Sequence, residues 1–175
     1  MKIFAPALTL LIAFAAVGCD TATEAPEGTS DTAAALIMSD ADLVTFRYAA
    51  SATGTLRQMA YDDETFTVLA ATNDAFATAA QERGVGMSDV LGRPDMGRIM
   101  RIHVIKGQSL AAADLTDGQE ITTEAGATLV VRIEGERIGF DADADGQADA
   151  YIASADIAAS NGTIHKVDHV FVPAE

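Results

Sequence analysis

The sequence predicts a single α+β domain, and three observations point to this class. Beyond an apolar N-terminal segment, helical patterns come mostly in the first half of the chain and strand patterns mostly in the second half. The two kinds of pattern do not alternate, as they would in a parallel β-α-β fold. The 175 residues suffice for one domain with a hydrophobic core and are too few for two domains.

The N-terminus has the pattern of a bacterial secretion signal. Lys2 precedes the apolar run from Ile3 to Val17, which is too short to cross a bilayer comfortably. Ala16-Val17-Gly18-Cys19 follows and resembles a lipobox, in which the cysteine is acylated and becomes the new N-terminus. Cys19 is the single cysteine of the chain and cannot form an internal disulfide. We expect residues 1–18 to be a lipoprotein signal peptide and Cys19 to be lipidated; a conventional signal ending near Ala16 is the alternative.

Composition separates a tether from the domain and excludes some partners. Residues 19–33 are rich in small and polar residues, which predicts a flexible linker before a domain over residues 34–175. The formal net charge is −15. A chain with this negative charge repels nucleic acids and anionic lipid headgroups. We therefore expect that it does not bind nucleic acid and that it attaches to the membrane through acyl chains.

The predicted helices follow from caps and apolar spacing. Ser39 or Asp40 begins a helix that Gly54 ends, and Thr72-Asn73-Asp74 begins a second. Ser88 and Pro94 suit the first turns of two further helices. Leu56 and Met59 lie on a short helical turn after Gly54. The apolar positions of the four helices have helical spacing and comprise Leu43, Phe46, Phe76, Ala80, Leu91, Met96, Ile99, Met100 and Ile102.

The predicted strands are β-branched and apolar runs separated by glycine turns. Gly126, Gly135 and Asn161-Gly162 mark the turns. The runs are residues 66–70, which precede the second helix, and residues 120–123, 128–133, 137–140 and 163–172.

Three segments, in this order, resemble the fasciclin domain. They are Thr67-Val68-Leu69-Ala70-Ala71-Thr72-Asn73-Asp74-Ala75-Phe76, Ile102-His103-Val104-Ile105-Lys106-Gly107, and the closing segment from Ala159 to Pro173, which contains Asn-Gly-x-x-His-x-x-Asp. The resemblance covers residues 36 to 173. It implies a β-sheet wedge or sandwich packed with several short helices. Ala71 stands where the family has Pro, and Ile102 where it often has Tyr, so recognition of integrins is not carried over.

The resemblance implies that the family's polar residues hold the scaffold together. In this sequence they are Thr72, Asn73, His103, Asn161, Gly162, His165 and Asp168. Asn161-Gly162 suits a turn that needs positive φ. His165 shares strand parity with Val167 and Phe171, which predicts a buried, hydrogen-bonded imidazole, and Asp168 is expected to accept a bond from a backbone amide.

Residues 141–149 match the first nine positions of an Asp-x-Asp-x-Asp-Gly calcium loop. The carboxylates of Asp141, Asp143 and Asp145, the backbone carbonyl of Gln147 and the carboxylate of Asp149 are the predicted ligands. Position twelve is Ile152, not the bidentate glutamate of an EF-hand, so we expect weak affinity, about 10⁻⁴ to 10⁻³ M. A solvated acidic loop is the alternative.

Together these features predict an exported, lipid-anchored module for adhesion or protein interaction, facing the periplasm or the cell surface. We expect a protein or glycan partner at the envelope, and neither enzymatic activity nor a small-molecule substrate. One alternative is a calcium-dependent periplasmic binder of carbohydrates or small ligands. Another is a periplasmic hydrolase that uses His103 or His165, which burial of both histidines would oppose.

Overall fold

The computed structural model describes residues 31–61 and 63–172, and over these residues the α+β class is confirmed. Short helices precede most of the strands, as the sequence pattern predicts. The described α-helices are α1 (Ala33–Ser39), α2 (Val44–Ala52), α3 (Thr55–Gln58), α4 (Asn73–Arg83), α5 (Met87–Leu91) and α6 (Met96–Ile102), with short 3-10 helices at Ala41–Leu43 and Ala112–Asp114.

Within the described residues, seven strands form one sheet in the order β2-β1-β7-β6-β5-β4-β3. Strand β1 pairs in parallel with β7, and each of the other neighbours pairs antiparallel. The strands are β1 (Phe66–Ala71), β2 (Val104–Lys106), β3 (Glu120–Thr122), β4 (Thr128–Glu134), β5 (Arg137–Asp141), β6 (Ala150–Ala159) and β7 (Gly162–Val167).

Strand β6 joins the two parts of the sheet. Its first residues pair with β5, and the rest pair with β7. The β6–β7 register shifts between Ile152 and Ser154 and again between Ser154 and Ile157. Such irregularities bend a strand and increase its twist, so β6 can leave one part of the sheet and enter the other.

The core lies between the helices and the sheet. Each residue of β1 is buried, as expected for a strand with a parallel neighbour and covered faces. Strand β4 instead alternates, with Leu129 and Val131 fully buried. The largest buried aromatic side chains are Phe46, Phe66, Phe76, Phe140 and Phe171.

The sequence prediction misses one helix, α1, and starts another, α5, too late. Helix α1 begins at Ala33, where the side chain of Thr32 accepts a hydrogen bond from the amide of Ala35. Ala33 is fully buried, so packed structure begins one residue before the predicted domain boundary at 34. Helix α5 begins at Met87, ahead of the predicted cap Ser88, because the Asp89 carboxylate accepts from the amide of Gly86.

The sequence prediction misses two strands and makes a third too long. Strands β2 and β6 were not predicted, and β7 ends at Val167 instead of residue 172. The predicted signal peptide, Cys19 and Pro173 lie outside the described residues. Among the residues that are described, no helix combines the length and apolar character needed to cross a bilayer.

Candidate functional site

The turn between β6 and β7 fastens the start of the domain to its end. Asn161 is 4% exposed, and its Oδ1 accepts a hydrogen bond from the amide of Ala33 at 2.8 Å. Its Nδ2 donates to the carbonyls of Met59 and Tyr61, both at 2.9 Å. One buried side chain thus satisfies three backbone groups from α1 and from the segment after α3.

Gly162 lets β7 approach β1 more closely than any other residue would. Its φ is +150°, and a Cβ at this position would lie 1.8 Å from the carbonyl oxygen of Phe66. Because that oxygen belongs to the backbone, no side-chain movement could relieve the clash. The parallel pairing of β1 and β7 begins at this contact.

His103 is fully buried at the end of α6 and binds two backbone groups. Its Nε2 accepts from the amide of Phe171 at 3.3 Å, so Nδ1 carries the proton and donates to the carbonyl of Ile99 at 2.8 Å. The ring contacts Phe46 and Phe171, with centroids 5.9 and 5.0 Å away. Burial lowers the pKa of His103 to about 4, against the opposing effect of the Ile99 carbonyl.

His165 plays a similar part on β7. Its side chain is fully buried, Nε2 lies 2.9 Å from the carbonyl of Leu110, and Nδ1 accepts from the amide of Asp156 at 3.1 Å. Burial lowers the pKa of His165, while the Leu110 carbonyl and the charge of Asp156 act to raise it. Asp156 has a positive φ of 58°, and its Oδ1 accepts from the amide of Ala112. The histidine and this aspartate therefore hold the irregular stretch of β6.

Thr72 and Asn73 position helix α4. The hydroxyl oxygen of Thr72 accepts from the amide of Ala75 and caps the helix. The side chain of Asn73 accepts from the amide of Thr45 at 2.9 Å and donates to the carbonyl of Ala41 at 2.8 Å. The asparagine therefore links the start of α4 to the start of α2.

Asp168 follows β7 and binds a backbone amide of the neighbouring strand, β6. Its Oδ1 accepts from the amide of Tyr151 at 2.7 Å and lies 2.9 Å from Nδ1 of His169. Arg137 stacks on the ring of Tyr151 at 3.6 Å. Like the other motif side chains, Asp168 therefore fixes main chain.

The acidic loop between β5 and β6 is organised around Asp141, which has no exposed surface. Its Oδ2 accepts from Nη2 of Arg132 at 2.7 Å and from the amide of Gly146 at 3.0 Å, and its Oδ1 accepts from the amide of Ala144 at 2.7 Å. Burial alone would raise the pKa of Asp141, but Arg132 and the two amides hold it below the ordinary value.

Three of the predicted calcium ligands lie together. One carboxylate oxygen from each of Asp141, Asp143 and Asp149 falls within 4.8 Å of the others. Two oxygens that each lie about 2.4 Å from a Ca²⁺ ion can be at most about 4.8 Å apart, so the spacing fits one shared ion. Asp145 lies outside this group, and its Oδ1 accepts from the amide of Gln147.

The electrostatics of the loop favour a cation. The pKa of Asp149 is raised, first by partial desolvation and then by the negative charges of Asp143, Asp141 and Asp145, against the amide of Ala142, which donates to it. A cation between these groups would reverse the repulsion, because each carboxylate would then face a positive charge. Arg132 neutralises part of the charge at Asp141.

Two residues of the site were missed by sequence reasoning. Arg132 lies opposite Gly139 across β4 and β5, which makes Asp141 its diagonal neighbour on the same face. Asp156 was overlooked because β6 was not predicted. Once the β4–β5 hairpin is assigned, its register would have revealed the first pair; no local signal in the sequence marks the second.

The sheet topology and these contacts define a small α+β domain in which first and last strands pair in parallel and the motif's polar side chains bind the backbone. The chain belongs to the fasciclin domain family, which matches residues 41–173. The resemblance noted in the sequence is thereby confirmed at the level of the family.

Relatives and solved structures agree with this assignment. The chain is 34% identical over 110 residues to protein sll1483 of Synechocystis sp., covering 62% of this chain and 55% of that protein. It is 29% identical over 130 residues to the transforming growth factor-beta-induced protein ig-h3 of Sus scrofa, covering 74% of this chain and 17% of that protein. It is also similar to a FAS1 domain pair from the insect cell adhesion molecule fasciclin I, with a TM-score of 0.69, 14% identity, and coverage of 81% and 51%. This last likeness shows the fold alone.

Proposed function

We propose that the protein is an exported, lipid-anchored fasciclin-domain module that binds a protein or glycan partner at the cell envelope. The observation that carries the proposal is the use of the motif's polar side chains. Asn161, His103 and His165 are buried and bind backbone groups. Recognition by exposed surfaces therefore fits the domain better than chemistry at the motif. The same fold occurs in a cell adhesion molecule.

The geometry of the two histidines speaks against the hydrolase alternative. A general base must reach a substrate proton directly or through one water, yet both imidazoles have no exposed surface. Both ring nitrogens of each are engaged, with the backbone groups of Ile99, Phe171, Leu110 and Asp156. A substrate would have to break these contacts before either ring could act.

Calcium is proposed to stiffen the acidic loop through Asp141, Asp143 and Asp149, with Asp145 and Gln147 as the more distant members of the predicted set. With a dissociation constant of about 1 mM, 10 mM Ca²⁺ would stabilise the fold by about 1.4 kcal/mol, or about 4 °C in Tm.

A set of single substitutions tests the calcium proposal. Asp143→Asn and Asp149→Asn should each abolish the calcium-dependent rise in Tm. The matched control Glu136→Gln removes one exposed carboxylate from the β4–β5 turn and should keep it. An unchanged wild-type Tm in calcium, or a rise that survives Asp149→Asn, would contradict calcium binding at this loop.

The second candidate, calcium-dependent binding of a carbohydrate or small ligand, is favoured by two clefts that meet at the loop. One, of about 400 Å³, is lined by Arg83, Asp149 and His169, among others; the other, of about 320 Å³, includes Arg98 and Val172. Both also border Ala142 and Asp143. A ligand that completes the coordination of the ion could occupy either cleft.

Two measurements test the adhesion role and the anchor. Beads coated with the protein should bind intact cells, and pretreating the cells with protease or glycosidase identifies the partner's class. Loss of binding with a chelator would favour the calcium-dependent form, whereas no binding under any condition would refute adhesion.

For the anchor, wild-type protein should incorporate a clickable fatty acid and Cys19→Ser should not. Equal labelling of both would refute acylation at Cys19.

A further inference from the structure

The charge of this acidic chain is unevenly distributed. Residues 43–61 and 96–113 contain five cationic side chains and no aspartate or glutamate, so the 26 acidic residues all lie elsewhere. These two stretches include α2, α3 and α6, which contact one another. Folding therefore gathers the acid-free segments into one helical region. The cationic side chains are Arg47, Arg57, Arg98, Arg101 and Lys106.

An apolar groove opens on this region between α1, α2 and α3. Its volume is about 640 Å³, and Met38, Ala52, Leu56 and Arg57 are among the residues that line it. Met38 is 56% exposed although it is a large apolar side chain. A single exposed apolar side chain is common, but here it borders an apolar groove, and contiguous apolar surface of this kind is typical of interaction sites.

The exposed side of α2 extends the groove. Val44 and Tyr48 are 43% and 64% exposed, and their i, i+4 spacing places them on one side of the helix. Ser51, about one turn further, lines the groove, so Val44 and Tyr48 lie on the same side of α2 as the groove. We call the surface formed by Met38, Val44, Tyr48, Arg57 and Arg101 the α2 face.

Arg101 reaches this face from α6. A Cβ on Gly97 would lie 3.7 Å from Nη1 of Arg101 and 4.0 Å from the methyl group of Thr53, which lines the groove. Arg101 and Thr53 therefore lie beside the same glycine, which places the guanidinium near the groove rim. Arg57 and Arg101 are both exposed, so their charges face solvent.

Three carboxylates near the α2 face are bound to lysines, whereas Asp63 shares a cleft with Arg57. Asp40 and Asp42, which precede α2, lie 2.7 and 2.9 Å from Nζ of Lys166. Glu64 lies 2.7 Å from Nζ of Lys106. These ion pairs reduce the local negative charge that the whole-chain total of −15 would suggest.

We propose that the α2 face docks on an anionic phospholipid surface; the inference rests on the proposed lipid anchor. Arginine guanidinium groups bind phosphate oxygens, and tyrosine side chains are favoured at the membrane–water interface. Met38 and Val44 would reach the acyl boundary beside them. Net charge alone predicted repulsion from anionic headgroups, and the segregation of charge removes that objection for this one face.

The tether places the α2 face near the bilayer. Cys19 precedes Asp31 by 12 residues, a length that spans at most about 40 Å. Ala34, three residues beyond Asp31, lines the groove itself. Because the anchor holds the domain at a high local lipid concentration, a surface of weak intrinsic affinity suffices to orient it.

The test uses the lipidated protein and a dye attached to a single new cysteine. Because Cys19 is the single natural cysteine and would be acylated, Tyr48→Cys supplies a unique thiol on the α2 face; Ile133→Cys, on β4, is the matched control. Both are incorporated into vesicles of phosphatidylcholine, or of phosphatidylcholine and phosphatidylglycerol in equal parts, with a headgroup-level quencher. The dye at 48 should be quenched more on the anionic vesicles, and the dye at 133 equally on both. High salt should remove the difference.

Charge reversal separates this face from net charge. Each arginine at an anionic surface strengthens binding about fivefold. Arg57→Glu should therefore reduce the equilibrium constant for docking of the α2 face at least about fivefold. Arg83→Glu, an equal charge change at the end of α4, should reduce it less than about twofold. Circular dichroism of both variants checks the fold, and Arg57→Gln provides a milder change should Arg57→Glu fail to fold.

The outcomes distinguish the face from the anchor. Equal quenching at positions 48 and 133, or a difference that survives Arg57→Glu and Arg57→Gln, would overturn the α2-face proposal. In another outcome, lipid does not affect the dye at position 48, but native envelopes shield it until they are treated with protease. This result would assign the α2 face to a protein partner and would also overturn the lipid-docking proposal. Failure to float with phosphatidylcholine vesicles would refute the anchor. Even if the anchor were refuted, quenching of the dye at position 48 on added anionic vesicles would still measure whether the α2 face binds them.

Discussion

Acidification from pH 7.5 to 5 should weaken this domain through its buried histidines, and His103 allows the magnitude to be worked out. In the unfolded chain its pKa is 6.5, and in the folded protein it is about 4. Above pH 6.5 the imidazole is neutral in both states, so it contributes no pH dependence. Below pH 6.5 the unfolded chain binds a proton that the folded protein does not, so stability falls as the pH falls.

The loss is about 1.4 kcal/mol per pH unit, which gives about 2 kcal/mol at pH 5 and about 3 kcal/mol near pH 4. The contacts explain why the proton is refused: protonated Nε2 of His103 would point its hydrogen at the amide hydrogen of Phe171 in a site without solvent. The pKa of His165 is lowered too, so its contribution has the same sign.

Urea unfolding at constant ionic strength, at intervals from pH 7.5 to 5, measures the effect. His103→Gln should lower stability at pH 7.5 and flatten the slope. A histidine resonance titration in wild type gives an independent pKa if His103→Gln does not fold. A flat wild-type stability, or a slope retained in a folded His103→Gln variant, would refute this reasoning.

Two further predictions concern the β6–β7 turn, and both are measured by urea unfolding. Gly162→Ala should lower the free energy of unfolding by at least about 3 kcal/mol because the new methyl group would collide with the Phe66 carbonyl. Gly135→Ala should lower it by only about 1 kcal/mol, because its φ is 65° but its surroundings are open. Equal losses would contradict the clash. Asn161→Ala should cost about 3 kcal/mol because it leaves buried backbone groups unpaired, and more than Asn73→Ala, which breaks two bonds nearer the surface; the reverse order would contradict the fastening role.

The parts of the fold that the sequence predicted are those with strong local signals. Thr72 caps α4 as expected, and the turn at Asn161-Gly162 lies where the dipeptide placed it. Strand β6 had no such signal: residues 150–159 are mostly small, with isoleucine the single β-branched type, and four consecutive positions are exposed. Pairing with β7 holds β6 in place, and tertiary pairing of this kind overrides weak β propensity.

The candidate site was less accessible to sequence reasoning. The order of aspartates and glycine indicated a calcium loop, but Arg132, nine residues from Asp141, entered only through the β4–β5 register. Net charge likewise concealed the acid-free surface, because a total cannot show where charges lie. The first gap concerns a contact between two strands, and the second concerns how the fold brings two acid-free stretches of the sequence together.

The division between buried and exposed polar groups limits where this domain can recognise a partner. A side chain that already satisfies buried backbone groups cannot turn outward without leaving them unpaired, at about 1–3 kcal/mol for each group. Asn161, His103 and His165 are in this position, so a partner that bound them would first have to offset that cost. Asp143, Asp145 and Asp149 of the acidic loop and the side chains of the α2 face carry no such penalty, because they are already exposed, whereas Asp141 is buried like the motif residues. Different fasciclin domains can therefore share the buried scaffold and differ in what they bind, and in this chain the loop and the α2 face are where substitutions should change binding without unfolding the protein.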